Sequence, residues 1–441
     1  MSEQDTIYAL SSGSLPSGVA IVRISGSRTR FVLETLCSVI PKPRMAVLKT
    51  IRDRNDLVID KALVLFFPNP NSFTGEDCAE IHLHGGRAVV SACLNALSIL
   101  QGLRIAEAGE FTKRAFDNGK MDLTEAEGLA DLISAETEMQ RRLAIQQSDG
   151  VLKDLYDGWA ARILRSRALI EAELDFSDED DIPGAISDQV WSDVGLLAKE
   201  ISRHLKKSRA GEITRNGFSV VIAGAPNAGK SSLLNALAGR DVAIVSEERG
   251  TTRDILEVRL DIAGHLVVVK DTAGIRDTDN MLEREGIRRA EQALETADLI
   301  LHLIDISRDH DALPERLISK SNVLKIGTKT DIVTADFGEQ FDALISTTTE
   351  DGLEGLLHRV EQALEILVVP DDFVVPTRQR HIDLLKIAQL ELAEATLLID
   401  EPIEIRSEHL RLAQDALGKI TGRTDVEDLL GVIFGEFCVG K

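Results

Sequence analysis

The spacing of hydrophobic positions changes along the chain and predicts elements of different kinds. Short β-branched runs, Val19–Ile24 and Ala62–Phe67, stand among helical stretches and turns rich in Pro and Gly, which predicts a small α+β domain over residues 1–118. From Leu123 the apolar residues recur at helical spacing for nearly ninety residues, so we expect two or three long helices over residues 119–215.

Buried-type strands alternate with helices from Phe218 to about Val368, and this alternation predicts a doubly wound α/β domain over residues 216–369. The helical pattern returns after Pro370 and continues over residues 370–441. An α/β domain between two helical segments is most simply an insertion into one helical domain, because insertions are tolerated at exposed loops whose ends lie close together. We therefore expect a discontinuous α-helical domain.

The charge balance restricts the function. The 441 residues include 50 Lys and Arg against 73 Asp and Glu, a net charge of −23. This balance disfavours a broad nucleic-acid-binding surface, so a nucleic-acid contact is expected to be local or shared with a partner. No stretch approaches the roughly 18 consecutive apolar residues of a membrane-spanning helix, and the acidic start is unlike a signal peptide. We expect a cytoplasmic protein that does not contact a membrane.

Candidate metal ligands outside the motifs below are few. The four cysteines contain no C-x-x-C pair, so three are expected to be buried in a reducing cytosol, whereas the fourth lies close to the carboxyl end; they are Cys37, Cys78, Cys93 and Cys438. His82 and His84 alternate on one strand face and could form a metal pair, but no third ligand is near in sequence. Packing is the favoured interpretation of these histidines.

The segment Gly224–Ser231 matches the phosphate-loop pattern G-x-x-x-x-G-K-[ST] between a predicted strand and a predicted helix. Its glycines let backbone amides turn toward phosphate oxygens at a helix N-terminus. Lys230 would neutralise the β and γ phosphates, and the Ser231 hydroxyl would ligate Mg²⁺. Downstream, Asp271 and Gly274 form a D-x-x-G motif at the end of a later strand, suited to the magnesium shell and the γ-phosphate.

The base is predicted to be guanine. Asp331 can accept two hydrogen bonds from the amino and imino edge of guanine, with the Lys329 stem over the ring, and adenine offers no such donor pair. These motifs resemble those of the translation-factor-related GTPases, with two departures. Thr328 replaces the usual Asn of N-K-x-D, and Thr347 follows Ser346 where Ala is usual.

The motifs alone do not identify the residue that orients the attacking water. Ras-like enzymes carry Gln directly after D-x-x-G, whereas Ile275 stands there and cannot hydrogen-bond a water. Glu283, Arg284 and Glu285 follow in the same segment. The first turn of a solvent-exposed helix would account for all three residues equally well. Chemistry alone therefore leaves open whether one of them orients the water.

Several segments outside these motifs carry a further resemblance, and the terminal one is especially specific. They are Asp5–Ile7, Arg23–Gly26, Ser72–Asp77, His84–Gly86, Arg114–Phe116, Glu125–Asp131 and the terminal Phe437–Lys441. With them the chain resembles the MnmE (TrmE) family of tRNA-modification GTPases over its whole length. The resemblance implies a folate-binding α+β N-terminal domain, a discontinuous helical domain and an inserted Ras-like α/β P-loop GTPase domain.

The resemblance also implies roles for residues of the nucleotide site. Glu283 resembles the family's water-orienting glutamate. The implied GTP-binding residues are Asn227, Ala228, Gly229, Lys230, Ser231, Ser232, Ser246, Thr251, Thr252, Asp271, Gly274, Lys329, Asp331 and Ser346. The implied metal ligands are Ser231 and Thr252 for Mg²⁺, and Asn227, Ser246, Glu248 and Thr251 for K⁺. A K⁺ ion there would supply the charge that an arginine finger supplies elsewhere.

The resemblance further implies a tetrahydrofolate site at Arg23, Glu80, Lys120 and Lys441. These residue types suit the ligand, because a pterin presents an amino-pyrimidinone edge to a carboxylate and a glutamate tail presents carboxylates to Arg or Lys. Cys438 resembles the family's C-terminal cysteine beside the folate, and its role as nucleophile, acid or steric element stays open.

The function implied is that of a homodimeric, K⁺-dependent GTPase. With the flavoprotein MnmG (GidA), which supplies FAD, it would install a carboxymethylaminomethyl or aminomethyl group at C5 of the wobble uridine of certain tRNAs, with methylene-tetrahydrofolate as one-carbon donor. The alternative is an Era-like regulatory GTPase of ribosome assembly without modification chemistry. Such proteins usually carry a basic RNA-binding module, and only short basic runs occur here, at residues 203–209 and 378–381.

Overall fold

The computed structural model describes residues 5–175, 185–244, 257–271, 288, 291–308, 322–333, 337, 340–368, 373–399, 401–424, 427–435, 437 and 439–440. The chain forms two compact units. The first comprises residues 1–130, 148–161 and 415–441, and the second comprises residues 131–147 and 162–414.

The first unit contains a six-stranded sheet in the order β3-β4-β5-β2-β1-β6. Its strands are β1 (Thr6–Leu10), β2 (Ser17–Ser25), β3 (Val47–Arg52), β4 (Val58–Phe67), β5 (Cys78–Gly85) and β6 (Leu103–Ile105). Only β1 and β6 pair in parallel. Alternate residues such as Val22, Ile81 and Val64 are buried against helices α1 (Thr29–Cys37) and α2 (Arg87–Ser98). The opposite face is less buried and carries polar residues such as Arg23 beside apolar ones.

The second unit contains a six-stranded sheet in the order β12-β11-β10-β7-β9-β8. Its strands are β7 (Phe218–Gly224), β8 (Glu257–Ile262), β9 (His265–Asp271), β10 (Leu299–Asp305), β11 (Val323–Thr328) and β12 (Ala343–Ile345). All pairs are parallel except β8 with β9. Strands β7 and β10 are buried along nearly their whole length, as parallel strands covered on both faces require. Their carboxyl ends therefore meet at one edge of the sheet.

The remaining helices are α3 (Glu110–Asp117), α4 (Leu123–Ser134), α5 (Glu138–Ser148), α6 (Val151–Asp175), α7 (Ala185–Leu205), α8 (Ser208–Asn216), α9 (Lys230–Ala238), α10 (Leu353–Leu367), α11 (Gln379–Leu397), α12 (Ile403–Thr421) and α13 (Glu427–Gly435). Two of the helices after Leu123 are long, α6 and α7, as expected, and the described residues there also form three shorter helices that were not expected, α4, α5 and α8. Two of the breaks have clear causes. Between α5 and α6, Gly150 adopts φ +85°, which ends the helical path. Between α4 and α5, the Gln140 side chain accepts hydrogen bonds from the amides of Glu136 and Thr137, which caps the start of α5.

The three N-terminal cysteines are buried, as predicted. Burial raises the pKa of Cys37 and of Cys93 to about 12, so both thiols stay protonated at neutral pH. Among the described helices, none is long and apolar enough to cross a membrane.

Candidate functional site

The phosphate loop connects β7 to α9 and has the backbone that the sequence motif requires. Gly224 adopts φ +148°, and a Cβ there would lie 2.4 Å from the carbonyl oxygen of Leu303 on the neighbouring strand. Asn227 and Gly229 also have positive φ, at +67° and +96°. These turns bring the loop to the N-terminus of α9, where unpaired amides favour an anion.

Lys230, the first residue of α9, is buried and turns back over the loop. Its Nζ donates to the carbonyl oxygens of Gly224 at 2.9 Å and Ala225 at 2.8 Å. The ammonium is therefore held inside the concave loop, where it can neutralise phosphate charge.

Two oxygen ligands meet beside this loop. Ser231 Oγ donates to Asp271 Oδ2 at 2.8 Å, and the Asp271 side chain at the end of β9 is fully buried. A hydroxyl and a carboxylate are the hard oxygen donors that Mg²⁺ prefers. This pair fits the predicted ion.

The predicted base-reading residues meet at the ends of β11 and β12. Ser346 Oγ donates to Asp331 Oδ1 at 2.7 Å and accepts from the amides of Thr348 and Thr349 at 3.2 Å each. Asp331 also lines the cleft. The buried hydroxyl therefore orients the carboxylate that is expected to read guanine.

Lys329 is anchored by a residue that the sequence analysis missed. Its Nζ lies 2.5 Å from Asp305 Oδ2 at the end of β10. Burial opposes ionisation of Asp305, but hydrogen bonds from the Lys329 ammonium and from Ser307 lower its pKa to about 2. Asp305 is therefore ionised at neutral pH, and its contact with Nζ holds the lysine stem beside the cleft. The sequence signal that could have identified Asp305 is its position at the end of a strand of buried type.

Thr328 links the two ends of the site. Its Oγ1 lies 2.9 Å from the carbonyl oxygen of Ala228 in the phosphate loop and 3.2 Å from that of Ile304. Thr328, which stands where Asn is usual, therefore provides a hydrogen-bond donor to the phosphate loop.

These residues surround one cleft of about 630 Å³ in the second unit. Its lining combines the phosphate loop with the base-reading residues and includes Asn227, Gly229, Lys230, Ser231, Ser232, Thr328, Lys329, Asp331, Thr347 and Thr348. A cleft of this size with phosphate-binding amides at one end suits a nucleotide. Eight of the predicted site residues lie outside the described residues: Ser246, Glu248, Thr251, Thr252, Gly274, Glu283, Cys438 and Lys441.

A second cavity of about 410 Å³ lies in the first unit and brings together Arg23, Glu80 and Lys120. Arg23 donates to Glu80 Oε1 from Nε at 3.2 Å and from Nη2 at 3.0 Å. The Arg23 guanidinium also lies 5.4 Å from the centre of the Phe73 ring. The cavity therefore combines a paired carboxylate with cations and aromatic surface, which suits a pterin.

Six further residues line this cavity that were not predicted as site residues: Arg44, Phe67, Asn71, Ser72, Phe73 and Cys78. Ser72 and Phe73 belong to the segment Ser72–Asp77 noted above, whereas the other four had no signal as ligand contacts. A buried network holds the wall. Arg114, only 4% exposed, donates to Glu76 at 3.1 Å, and Glu76 accepts from Ser25 at 2.6 Å.

The two histidines are bound to carboxylates. His82 Nε2 lies 3.2 Å from Glu80, and His84 Nδ1 lies 2.8 Å from Asp60. The described part of the chain contains no group of three or more potential metal ligands. Packing of these histidines stays a prediction, and each contacts a carboxylate in the structure.

The described part of the C-terminal tail contacts the first sheet. Val439 bridges Ala108, and the Gly440 carbonyl accepts a hydrogen bond from Ser11 Oγ. Gly440 adopts φ +99°, and a Cβ there would lie 2.1 Å from the Leu10 carbonyl oxygen. Because β1 pairs with β2, which carries Arg23, the tail reaches the strand next to the second cavity.

Comparisons with known proteins agree over the full length. The family profile "MnmE helical domain" matches residues 123–438, and "GTP-binding protein TrmE N-terminus" matches residues 6–120. The chain is 55% identical to the tRNA modification GTPase MnmE of Brucella anthropi, with 99% of this chain and 98% of the relative covered. The chain belongs to the MnmE family of tRNA-modification GTPases.

The chain is also 55% identical to the tRNA modification GTPase MnmE of Rhizobium meliloti, and the match covers 100% of both chains. Membership of the MnmE family confirms the predicted fold class and the prediction of a GTP hydrolase. Among solved structures, Era of Aquifex aeolicus is 24% identical, with 39% of this chain and 66% of that chain covered and a TM-score of 0.26, which supports no further argument.

Proposed function

We propose that this protein is a K⁺-dependent GTPase that acts with the flavoprotein MnmG (GidA) and its FAD on the wobble uridine of certain tRNAs. It would install a carboxymethylaminomethyl or aminomethyl group at C5, with methylene-tetrahydrofolate as the source of the one-carbon unit. The observation that supports this most is the presence of two separate cavities. One carries nucleotide-binding groups, and the other carries the Arg23–Glu80 pair.

Nucleotide binding would use residues whose contacts are favourable for it. Lys230 would exchange the Gly224 and Ala225 carbonyls for phosphate oxygens. Ser231 and Asp271 would take part in the Mg²⁺ shell with Thr252, and Asp331 would accept the guanine edge. The remaining contacts are assigned to Ala228, Gly229, Ser232, Ser246, Thr251, Gly274, Lys329 and Ser346.

Hydrolysis is assigned to Glu283, which would orient the attacking water because Ile275 cannot. The proposed K⁺ ligands are Asn227, Ser246, Glu248 and Thr251, of which Asn227 lines the cleft. K⁺, when bound, would supply positive charge for the developing charge between the phosphates. Asn227 would contribute its amide oxygen as one of these ligands.

Folate binding is assigned to Arg23, Glu80, Lys120 and Lys441, with Cys438 beside the ligand. Glu80 would accept from the amino-pyrimidinone edge of the pterin. Arg23 would orient the Glu80 carboxylate, whose Oε1 it contacts at 3.0 Å. The contacts of Val439 and Gly440 beside β1 support delivery of the tail to this cavity.

The proposed assembly is a cytoplasmic homodimer that shares its tRNA contacts with MnmG, because a net charge of −23 disfavours a broad polyanion-binding surface of its own. The proposed domains are residues 1–118, 119–215, 216–369 and 370–441. Nucleotide turnover would drive opening and closing of paired GTPase domains, which orders the modification site rather than performing its carbon chemistry.

The test is a nucleoside mass spectrum of tRNA from a deletion strain. Expression of the wild-type gene should restore the modified wobble uridine, and Cys438→Ser should not, although its GTP hydrolysis should stay near normal because the two sites couple only through conformation. Unmodified tRNA in the parent strain, or modification that does not depend on the gene, would reject the proposed reaction. Full modification with Cys438→Ser would reduce the cysteine to a packing residue.

A further inference from the structure

The second cavity carries more positive charge than its own carboxylate compensates. Its charged lining consists of the cations Arg23, Arg44 and Lys120 and the carboxylate Glu80. Arg23 is paired with Glu80 at 3.0 Å. Within the described residues, no carboxylate forms an ion pair with Arg44 or Lys120. The cavity therefore presents two uncompensated positive charges, which matches a ligand with two negative charges.

Arg44 is held at the wall of this cavity by several contacts. Its backbone adopts φ +61°, and its amide donates to the Phe66 carbonyl at 2.9 Å. Its Nη2 donates to the Asn71 carbonyl at 2.5 Å, and its guanidinium carbon lies 5.7 Å from the centre of the Phe67 ring. A guanidinium has five N–H donors, and the contact with Asn71 uses one. An edge of the guanidinium fork is therefore available to a ligand.

Arg44 reaches the cavity wall from a different part of the chain than the proposed pterin contacts. Arg23 is on β2 and pairs with Glu80 on β5, which in turn lies opposite Leu65 on β4. Arg44 is anchored to the backbone of β4 at Phe66. Strands β2 and β4 are two strand spacings apart, about 10 Å. Arg44 is therefore anchored two strands from Arg23 and one strand from Glu80, and it is a contact separate from the Arg23–Glu80 pair.

We propose that Arg44 binds the glutamate tail of the folate and selects ligands that carry it. This inference rests on the proposed folate function. A folate has a pterin edge at one end, which suits Glu80, and the α and γ carboxylates of its glutamate at the other. Two carboxylates match the two excess charges, and the planar fork of Arg44 matches a carboxylate in two-point contact. Arg44 is therefore a specificity-determining residue of this site.

Isothermal titration calorimetry with two ligands tests the proposal. The probes are 5-formyl-tetrahydrofolate and 5-formyl-tetrahydropteroate, which lacks only the glutamate. Full-length wild-type protein should bind the folate more tightly. Arg44→Gln should weaken folate binding about tenfold or more and leave pteroate binding unchanged, because a hydrogen bond between charged groups is lost with one ligand only. Arg44→Lys should give an intermediate loss, since it keeps the charge without the fork.

Arg54→Gln is the matched control, because Arg54 is exposed in the turn after β3 and does not line the cavity. It should bind both ligands as the wild type does. If the wild type binds neither ligand, the folate function and the role of Arg44 are both rejected. If the wild type binds both ligands equally, or Arg44→Gln weakens both equally, tail recognition by Arg44 is rejected while the folate function stands.

Discussion

The hydroxyl of Thr328 is expected to couple the phosphate loop to the base-reading strand. Thr328 is 2% exposed at the end of β11, and its single hydroxyl proton can serve the Ala228 carbonyl at 2.9 Å or the Ile304 carbonyl at 3.2 Å. Thr328→Val keeps the shape of the side chain and removes the donor. A net hydrogen bond contributes about 1 kcal/mol, and a buried acceptor left without a donor raises the cost to about 1–3 kcal/mol.

This cost should appear in stability and in nucleotide affinity. At about 2–4 °C per kcal/mol for a domain of 150–250 residues, the melting temperature of the GTPase domain should fall by several degrees. Ala228 belongs to the phosphate loop, so loss of this hydrogen bond should leave the loop less ordered in the free protein. Ordering the loop when the nucleotide binds then costs additional free energy. A loss of about 1 kcal/mol would raise the Kd for GDP about fivefold.

Fluorescence titration with a labelled GDP and thermal unfolding followed by circular dichroism measure the two effects. Thr328→Ser retains the hydroxyl and should resemble the wild type in Kd. A Val variant that binds GDP as tightly as the wild type would refute the coupling. A Ser variant as weak as the Val variant would assign the effect to the methyl group instead.

Four further predictions concern the same unit. Asp305→Asn should lower the free energy of unfolding by about 1 kcal/mol at pH 7, a value that allows for the partial exposure of Lys329. In the wild type this stabilisation is present above about pH 4 and is lost as the pH falls toward 2, and the variant should lack it. Urea unfolding at a series of pH values measures both effects. Gly224→Ala should abolish GDP binding, because its Cβ would lie 2.4 Å from the Leu303 carbonyl, and calorimetry that finds normal affinity would contradict this loop geometry. Asp331→Asn should shift binding from guanosine toward xanthosine triphosphate, and unchanged affinity for GTP would remove Asp331 from the base site. Glu283→Ala should keep GTP affinity and lose most of kcat, whereas equal wild-type rates in Na⁺ and K⁺ buffers would reject the role of the ion.

The positions of the nucleotide motifs could be predicted because they are local. Gly224–Ser231 needs only a strand, a turn and a helix N-terminus, and each of these has its own signal in adjacent residues. The number of helices after Leu123 could be predicted less accurately. Periodicity continues across short breaks, and the break at Gly150 depends on a backbone conformation rather than on hydrophobic spacing.

The contacts that complete each site depend on distant parts of the chain. Thr328 and Ala228 are 100 residues apart, and Arg23 and Glu80 are 57 apart. Asp305 reaches Lys329 only because β10 and β11 pair in a register that sets Asp305 opposite Thr328. Residue types and local spacing determined which chemistry the protein carries. Sheet order and register decided which side chains meet, because pairing between strands is a long-range choice that local spacing does not encode.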